Sequence, residues 1–409
     1  MADLRGRDPR LADRFQWVCA RLGTPGFGAA EHRRWWEDHD SLLRRIRALP
    51  GLARFLAAPW LDDLRAAPAG GTAGGTAGGT AVLLNAGRDR GDAVLVRDEG
   101  PPVHVPLPAL REAVVADQVT ALLAALSGGG SLSGVMILRR TVRDVLAWLW
   151  RTAVGPVADA LGPPGPEPHR VWWLPTGALG LLPLHAAEEP GIPGALDVMV
   201  SSFVPSLRAL RDARCRPPAA RRETLTVVLA QTPGHADLRE TDAEARLLDG
   251  PTLTGAQATA GRVLTALGDA TWAHFACHAV ADPVSPAAGG LLLHDRTLTL
   301  PELGDLRLPE AELAYLSACS TAGHGVRYAD EVLHLASAFQ LAGFRHVVAS
   351  LWPLNDTAAG EAATAFYAAL PATPVADAAA PVLREVTLGL RARHRRQPEL
   401  WAPLVHSGP

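Results

Sequence analysis

Two stretches of apolar residues, each closed by a reactive side chain, decide how this chain is interpreted. Residues 272–278 read Trp-Ala-His-Phe-Ala-Cys-His, and residues 313–319 read Leu-Ala-Tyr-Leu-Ser-Ala-Cys. Short apolar runs of this kind are typical of buried strands. The 41 residues that separate His278 from Cys319 are enough for one crossover between neighbouring parallel strands. We therefore predict that the two strands are adjacent and bring His278 and Cys319 to one edge of a sheet.

Around these two stretches, apolar runs alternate with helical patterns from residue 81 to residue 370. Further strands are predicted at 81–85, 93–97, 171–174, 198–204, 225–230, 291–294 and 344–352. Helices are predicted at 110–126, 142–161, 206–213, 242–248, 259–267, 330–342 and 357–370. The alternation favours an α/β fold, in which helices flank a mostly parallel sheet.

Composition divides the chain into four parts. Residues 1–65 carry a helical pattern, with one helix over 31–47 and another that begins within 52–57. Residues 66–80 repeat Gly-Gly-Thr-Ala and can bury almost nothing, so we predict a flexible loop or linker there. The α/β pattern that follows is divided into a first half, 81–215, and a second half, 216–409.

The charged residues exclude several functions. The net charge is −3, so there is no overall basic field to attract nucleic acid, and we predict no nucleic-acid partner. Every basic residue is Arg, which excludes a Schiff-base lysine, a Ser-Lys dyad and a phosphate-loop lysine.

The N-terminus lacks the apolar core of a secretory signal, and no apolar run spans about 18 residues. We expect a cytoplasmic protein without membrane association, whose four cysteines are free thiols.

His278 and Cys319 together suit nucleophilic catalysis. A thiol is mostly protonated at neutral pH and attacks well only as the thiolate, which a neighbouring imidazole can generate. The backbone amides of Cys319 and Ala279 are the natural donors to the oxyanion that would form. From the residues alone, a buried structural role for each side chain remains the alternative. His274 adds a third candidate zinc ligand, but the spacing is not that of a zinc site, and we predict no metal or other cofactor.

A series of motifs in fixed order points to a family. His274-Phe-Ala-Cys-His-Ala279 is followed by Gly290-Leu-Leu-Leu-His294, Leu316-Ser-Ala-Cys-Ser-Thr321, Asp330-Glu-Val-Leu333 and Ala342-Gly-Phe-Arg-His-Val-Val-Ala-Ser-Leu-Trp-Pro353. From about residue 30 to the end, the chain resembles the CHAT domain family, which belongs with the caspase, separase and gingipain peptidases. The resemblance implies a caspase-like sheet with a pseudo-caspase-like half, 81–215, and a catalytic half, 216–409. It also implies a cysteine endopeptidase with Cys319 as nucleophile and His278 as base.

The resemblance extends to the substrate pocket. Leu351-Trp-Pro-Leu-Asn-Asp356 resembles a separase segment in which an acid lies near the pocket. It implies cleavage of a protein substrate after a basic residue, with Asp356 as a pocket residue. Asp330 and Glu331 are further candidates for the pocket. All three acids also stand at predicted helix starts, so a capping role for Asp356 is the alternative.

Departures from the family leave other interpretations open. Ala279 stands where the family usually has Gly, and the alanine would restrict φ beside the oxyanion hole. Ser320 stands where an acidic residue is common in the family. No helical repeat array is evident, so such an array would be carried by a regulatory protein partner or be absent. We expect activation by self-cleavage or by a partner that reorders the loop 320–328. A role in bacterial signalling or defence is implied. The alternatives are a weak or inactive scaffold and a redox sensor that pairs Cys319 with Cys277.

Overall fold

The computed structural model of the protein describes residues 2–22, 28–57, 61, 64, 78–128, 131–235, 237–280, 289–317, 320–321, 331–354, 356–371 and 375–409. The chain divides into two compact units, Met1–Asp63 and Leu64–Pro409. Residues 66–77 of the predicted linker lie outside the described residues. No helix in the described ranges combines the length and the apolar character that a membrane crossing requires.

The first unit is helical. Its described helices are α1 (Ala2–Arg7), α2 (Pro9–Leu22) and α3 (Ala29–Arg47). Apolar side chains at helical spacing form its core, among them Leu11, Phe15, Val18, Leu42 and Ile46. The prediction that a helix begins within 52–57 is wrong. Residues 53–56 form turns, and Leu56 has a φ of 53°, a left-handed conformation that an α-helix of L-residues does not continue.

The second unit contains a large sheet and a small one. Its strands are β1 (Thr80–Ala86), β2 (Gly91–Arg97), β3 (Val103–Leu107), β4 (His169–Pro175), β5 (Met199–Phe203), β6 (Thr224–Val228), β7 (Thr252–Thr254), β8 (Trp272–Ala276), β9 (Ala279–Val280), β10 (Gly290–Leu292), β11 (Thr297–Thr299), β12 (Leu313–Leu316), β13 (Ser320–Thr321), β14 (His346–Ser350) and β15 (Leu404–Ser407). Its described helices are α4 (Glu112–Leu126), α5 (Leu132–Leu149), α6 (Gly155–Leu161), α7 (Ala195–Val198), α8 (Leu207–Cys215), α9 (Thr241–Glu244), α10 (Ala260–Leu267), α11 (Leu300–Gly304), α12 (Glu331–Ala342), α13 (Asp356–Ala369) and α14 (Ala379–Arg393).

The large sheet has the strand order β3-β2-β1-β4-β5-β15-β14-β12-β8-β6-β7. Strands β1, β4, β5 and β15 are parallel to one another, as are β14, β12, β8, β6 and β7. The two groups run in opposite directions because β14 and β15 pair antiparallel. The prediction of a mostly parallel sheet flanked by helices is therefore confirmed. The strands β9, β10, β11 and β13 form a separate small sheet.

A buried chain of hydrogen bonds crosses the junction between the two groups. Ser202 on β5 lies 2.5 Å from Nδ1 of His406 on β15, and Nε2 of His406 lies 3.1 Å from Nδ1 of His346 on β14. Nε2 of His346 lies 3.0 Å from a carboxylate oxygen of Asp377. Burial lowers the pKa of both histidines, so both rings are neutral at pH 7. Each ring then donates through Nε2 and accepts through Nδ1, and the chain of donors ends on Asp377.

A second buried contact stands beside the first. The guanidinium of Arg345 donates to Glu312 at 3.0 Å and to Asp377 at 2.9 Å. Glu312 also accepts the backbone N–H of Ala219 at 2.9 Å. Burial raises the pKa of Glu312, and the nearby Arg345 acts against that rise. Arg345 thus neutralises acids that the fold has removed from water.

Loss of Arg345 should destabilise the second unit strongly. In Arg345→Ala, Glu312 would stay buried without its counter-charge, and we expect a loss of about 3 to 5 kcal/mol in the free energy of unfolding. Urea denaturation followed by circular dichroism measures this. Arg140→Ala is the matched control, because Arg140 forms an exposed ion pair with Asp144 that should contribute little. Equal stability of the two variants would contradict the assignment.

His185 links the stability of the fold to pH. It lies in the short turn Leu184–Ala186, buried, with its ring edge-on to Phe203 at 5.9 Å. Burial lowers the pKa of His185 to about 3. The unfolded chain therefore takes up a proton at this site below about pH 6.5 that the folded protein does not, and stability falls as the pH falls from there towards 3.

We expect His185→Phe to weaken this pH dependence. Phe keeps a buried ring and binds no proton, so the loss of stability between pH 6 and pH 4 should shrink by up to about 1.4 kcal/mol per pH unit relative to wild type. Urea unfolding at pH 7.5, 6, 5 and 4 provides the slopes. His346 and His406 remain in both proteins, so their contribution cancels in the comparison. An unchanged slope would show that His185 is not held neutral.

Candidate active site

The two stretches that end in His278 and Cys319 form neighbouring strands. β8 pairs parallel with β12, and Phe275 faces Leu316 in that pairing. All residues of both strands are buried, which explains their uninterrupted apolar sequence. The prediction that these strands are adjacent is confirmed. His278 follows β8 at the carboxyl edge of the second parallel group, where ligands bind in open α/β sheets.

The small sheet continues the same alignment beyond the strand ends. β9 pairs parallel with β13, so that Ala279 faces Ser320. The partners in this pair are 41 residues apart, as are Phe275 and Leu316, and this is also the separation of His278 from Cys319. Cys319 itself lies outside the described residues. Its role as nucleophile stays a prediction.

A second histidine lies against His278. The ring of His235 stacks on the ring of His278 with a centroid distance of 4.9 Å and an interplanar angle of 30°. His278 is only 5% exposed, whereas His235 is partly exposed. The backbone carbonyl of His278 accepts the N–H of Leu292 at 2.8 Å, which ties it to β10. Sequence reasoning missed His235, because its only local signal is a histidine in a polar segment.

The other candidates near His278 belong to the core. His274 is fully buried, with Nε2 at 2.8 Å from Glu244 and Nδ1 at 3.2 Å from the hydroxyl of Tyr367. Cys277 is also fully buried, and burial raises its pKa to about 12, so its thiol stays protonated. The prediction that Cys277 is a core residue is confirmed. Among the residues the structure describes, no cluster of three His, Cys, Asp or Glu side chains suits a metal ion.

Ala279 occupies a strand and needs no special backbone conformation. It belongs to β9, is buried, and faces Leu291 on one side and Ser320 on the other. Within the described ranges, Leu56 is the one non-glycine residue with positive φ, so Ala279 is not in the left-handed region. An Ala at this position is therefore compatible with the backbone without strain.

Asp356 binds the backbone of a segment near the carboxyl edge of the sheet where His278 lies. It begins α13, and one oxygen of its carboxylate accepts the backbone N–H groups of Arg239 and Glu240 at 2.5 and 2.9 Å. This segment is the one that carries His235. Glu331 begins α12, and Asp330 lies outside the described residues. The substrate-pocket roles of these three acids stay predictions.

A cavity opens beside this segment. It has a volume of about 880 Å³ and lies at the carboxyl ends of β6 and β7. Residues 228–233, 237–239, 241 and 242 supply most of its lining, which is completed by Ala245, Thr254, Gly255, Ala256, Leu293 and His294. Thr232 is buried in this wall, and its hydroxyl makes no hydrogen bond to the part of the protein that is described. The cavity is large enough to take a side chain of a peptide.

The chain belongs to the CHAT domain family, whose model matches residues 143–409. Separase of Saccharomyces cerevisiae, in its complex with securin, superposes with a TM-score of 0.56 at 9% identity, over 80% of this chain and 30% of that one. This chain therefore spans about 30% of the length of separase, and the similarity is one of fold.

Two further structures are more distant. The Arg-specific cysteine proteinase gingipain R has a TM-score of 0.40 at 10% identity, over 73% of this chain and 74% of that one. The complex of the pro- and mature domains of RgpB from Porphyromonas gingivalis has a TM-score of 0.39, also at 10% identity, over 73% and 76%. No curated protein sequence matches the chain.

The tie between Asp356 and the segment of His235 can be tested by amide exchange. In Asp356→Ala, the N–H groups of Arg239 and Glu240 lose their charged acceptor, and we expect their hydrogen exchange to rise about tenfold or more. Asp356→Asn keeps a carbonyl oxygen and should show a smaller rise. Exchange-coupled mass spectrometry resolves the peptide, and the amides of β8 serve as the internal control. Unchanged exchange in Asp356→Ala would contradict the tie.

Proposed function

We propose that this protein is a cysteine endopeptidase in which Cys319 is the nucleophile and His278 the general base. The observation that carries the proposal is the alignment of the strands on both sides of the two positions. The pairs Phe275–Leu316 and Ala279–Ser320 have the same separation in the chain as His278 and Cys319. Membership of the CHAT family and a fold shared with separase support the same chemistry.

The reaction would proceed through an acyl-enzyme. His278 takes the proton of the Cys319 thiol, and the thiolate attacks the carbonyl carbon of the scissile bond. The backbone N–H groups of Cys319 and Ala279 hold the oxyanion. The C–N bond then breaks, and the leaving amine takes the proton from His278. Water, deprotonated by His278, cleaves the thioester, and the free acid and the thiol are restored.

Burial at the site suits this chemistry. Because His278 is almost fully buried, the attraction between an imidazolium and a thiolate there is screened less than in water. Cys277, the other cysteine nearby, has a raised pKa and is a poor nucleophile. These two observations favour Cys319 as the reactive thiol.

We propose that the substrate is a protein cleaved after a basic residue. Asp356 would provide the acidic contact, with Asp330 and Glu331 as further pocket residues. The two amides bound to Asp356 use one oxygen of its carboxylate, and a carboxylate has about four lone-pair sites. The carboxylate therefore retains acceptor capacity for a guanidinium or an ammonium group.

Regulation by another protein is part of the proposal. The separase with a similar fold is in complex with a protein, securin. We propose that this chain is activated in the cytoplasm by self-cleavage or by a partner with helical repeats that reorders the loop 320–328. A weak or inactive scaffold is the second candidate. Ala279 adds a methyl group beside the proposed oxyanion hole where the family usually has glycine, and this methyl group, not backbone strain, is the observation that favours the scaffold.

Cleavage of matched peptides tests the proposal. We expect wild type to hydrolyse a fluorogenic peptide with Arg before the scissile bond at least about tenfold faster than the same peptide with Gln. Cys319→Ala and His278→Ala should each lose activity by about a thousandfold or more, because each removes a group that acts in the chemical step. Circular dichroism shows whether the variants are folded.

The same assay separates the two candidates. Full activity in Cys319→Ala would contradict the dyad, and equal cleavage of both peptides would contradict the basic preference. A folded wild type that neither cleaves peptides nor reacts with an active-site thiol probe would favour the scaffold. If Ala279→Gly then gained activity, the chain would be a weakened peptidase.

A further inference from the structure

We infer that His235 is a positioning residue for His278. The inference rests on the proposed function, and it adds a residue that the dyad chemistry does not include. The two imidazole rings stack at a centroid distance of 4.9 Å and an interplanar angle of 30°. This geometry places the flat face of His235 against the ring that would carry the proton.

Hydrogen bonds hold the segment of His235 in place. At its start, the N–H of Leu229 donates to the carbonyl of Ala276 on β8 at 2.9 Å. Within it, the N–H of His235 donates to Thr232 at 3.0 Å, and the N–H of Leu238 donates to Ala230 at 2.9 Å. At its end, Asp356 binds two backbone amides. The ring of His235 is thus presented to His278 by a segment fixed at both ends.

A stacked aromatic face has two effects on His278. It restricts rotation of the ring, and so keeps the proton-accepting nitrogen aligned with its target. It also stabilises the imidazolium form, because the face of a neutral aromatic ring attracts a cation. The attraction to the imidazolium acts only once His278 has taken up the thiol proton, and the fixed orientation of the ring matters for that same proton transfer. Both effects should therefore influence the chemical step more than substrate binding.

The contrast with His274 shows why His235 suits this role. His274 is fully buried, and both of its ring nitrogens lie close to polar groups of the core, Glu244 and Tyr367. His235 is partly exposed, and its ring lies against His278. Removal of the His235 side chain should therefore leave the core intact and change the environment of His278.

Two substitutions at position 235 test whether the aromatic face of the side chain causes the effect on His278. His235→Ala removes the stacked face, whereas His235→Phe keeps a flat aromatic face of similar size. At pH 8, where an ordinary histidine is neutral, we expect His235→Ala to lower kcat about tenfold with KM changed less than about twofold. His235→Phe should stay within about threefold of wild type. His104→Ala is the control, because His104 is exposed on β3, at the other end of the sheet.

A second readout does not depend on turnover. The rate of carbamidomethylation of Cys319 by iodoacetamide, followed by peptide mass spectrometry, reports the thiolate that His278 stabilises. It should fall in His235→Ala, recover in His235→Phe and be unchanged in His104→Ala. If wild type cleaves no peptide but the alkylation rates follow this order, the positioning role stands and the peptidase proposal fails.

Two results would overturn the inference. One is equal kcat and equal alkylation in wild type and His235→Ala. The other is an equal loss in His235→Ala and His235→Phe, which would mean that the aromatic face is not the cause. If His235→Ala does not fold, His235→Gln replaces it with the same expectations, since Gln is polar and of similar size but has no aromatic face.

Discussion

The antiparallel pairing of β14 with β15 is the interaction on which the rest of the second unit depends. It joins two groups of parallel strands that run in opposite directions, and β15 comes from residues 404–407. The joint is polar inside: Ser202, His406, His346 and Asp377 form one chain of hydrogen bonds across it. Buried polar groups that satisfy one another in a single arrangement also specify the register of the strands.

This joint determines where a site can form. Because the two groups run in opposite directions, their carboxyl ends lie at opposite edges of the sheet, and His278 lies at the edge formed by β14, β12, β8, β6 and β7. Among the described residues at this edge, the segment that follows β6 is held by the backbone hydrogen bond from Leu229 to Ala276 and by Asp356. Within the core, His274 on β8 forms a buried polar network with Glu244 and Tyr367. A rigid scaffold of this kind suits chemistry that requires aligned groups.

The elements that were predicted from the sequence are those whose pattern is local. β8, β12 and β14 are buried at every residue, and Ser206 caps α8 as its position indicates. α5 begins at Leu132, not at the predicted residue 142. The prediction missed the first part of the helix because Leu132, Met136 and Ile137 are apolar but exposed, and they disturb the amphipathic pattern. β15 was missed, because Leu-Val-His-Ser is short and becomes a strand only by pairing with β14.

By itself, the sequence determined the α/β class, the adjacency of the strands before His278 and Cys319, and the resemblance to the CHAT family. These follow from local apolar patterns, from the length of chain between two strands and from the order of motifs. Only the tertiary structure decided that His235 stacks on His278 and that Asp356 binds the amides of Arg239 and Glu240. Such contacts join residues far apart in the chain, and they arise from how loops close over a sheet edge, which no local pattern encodes.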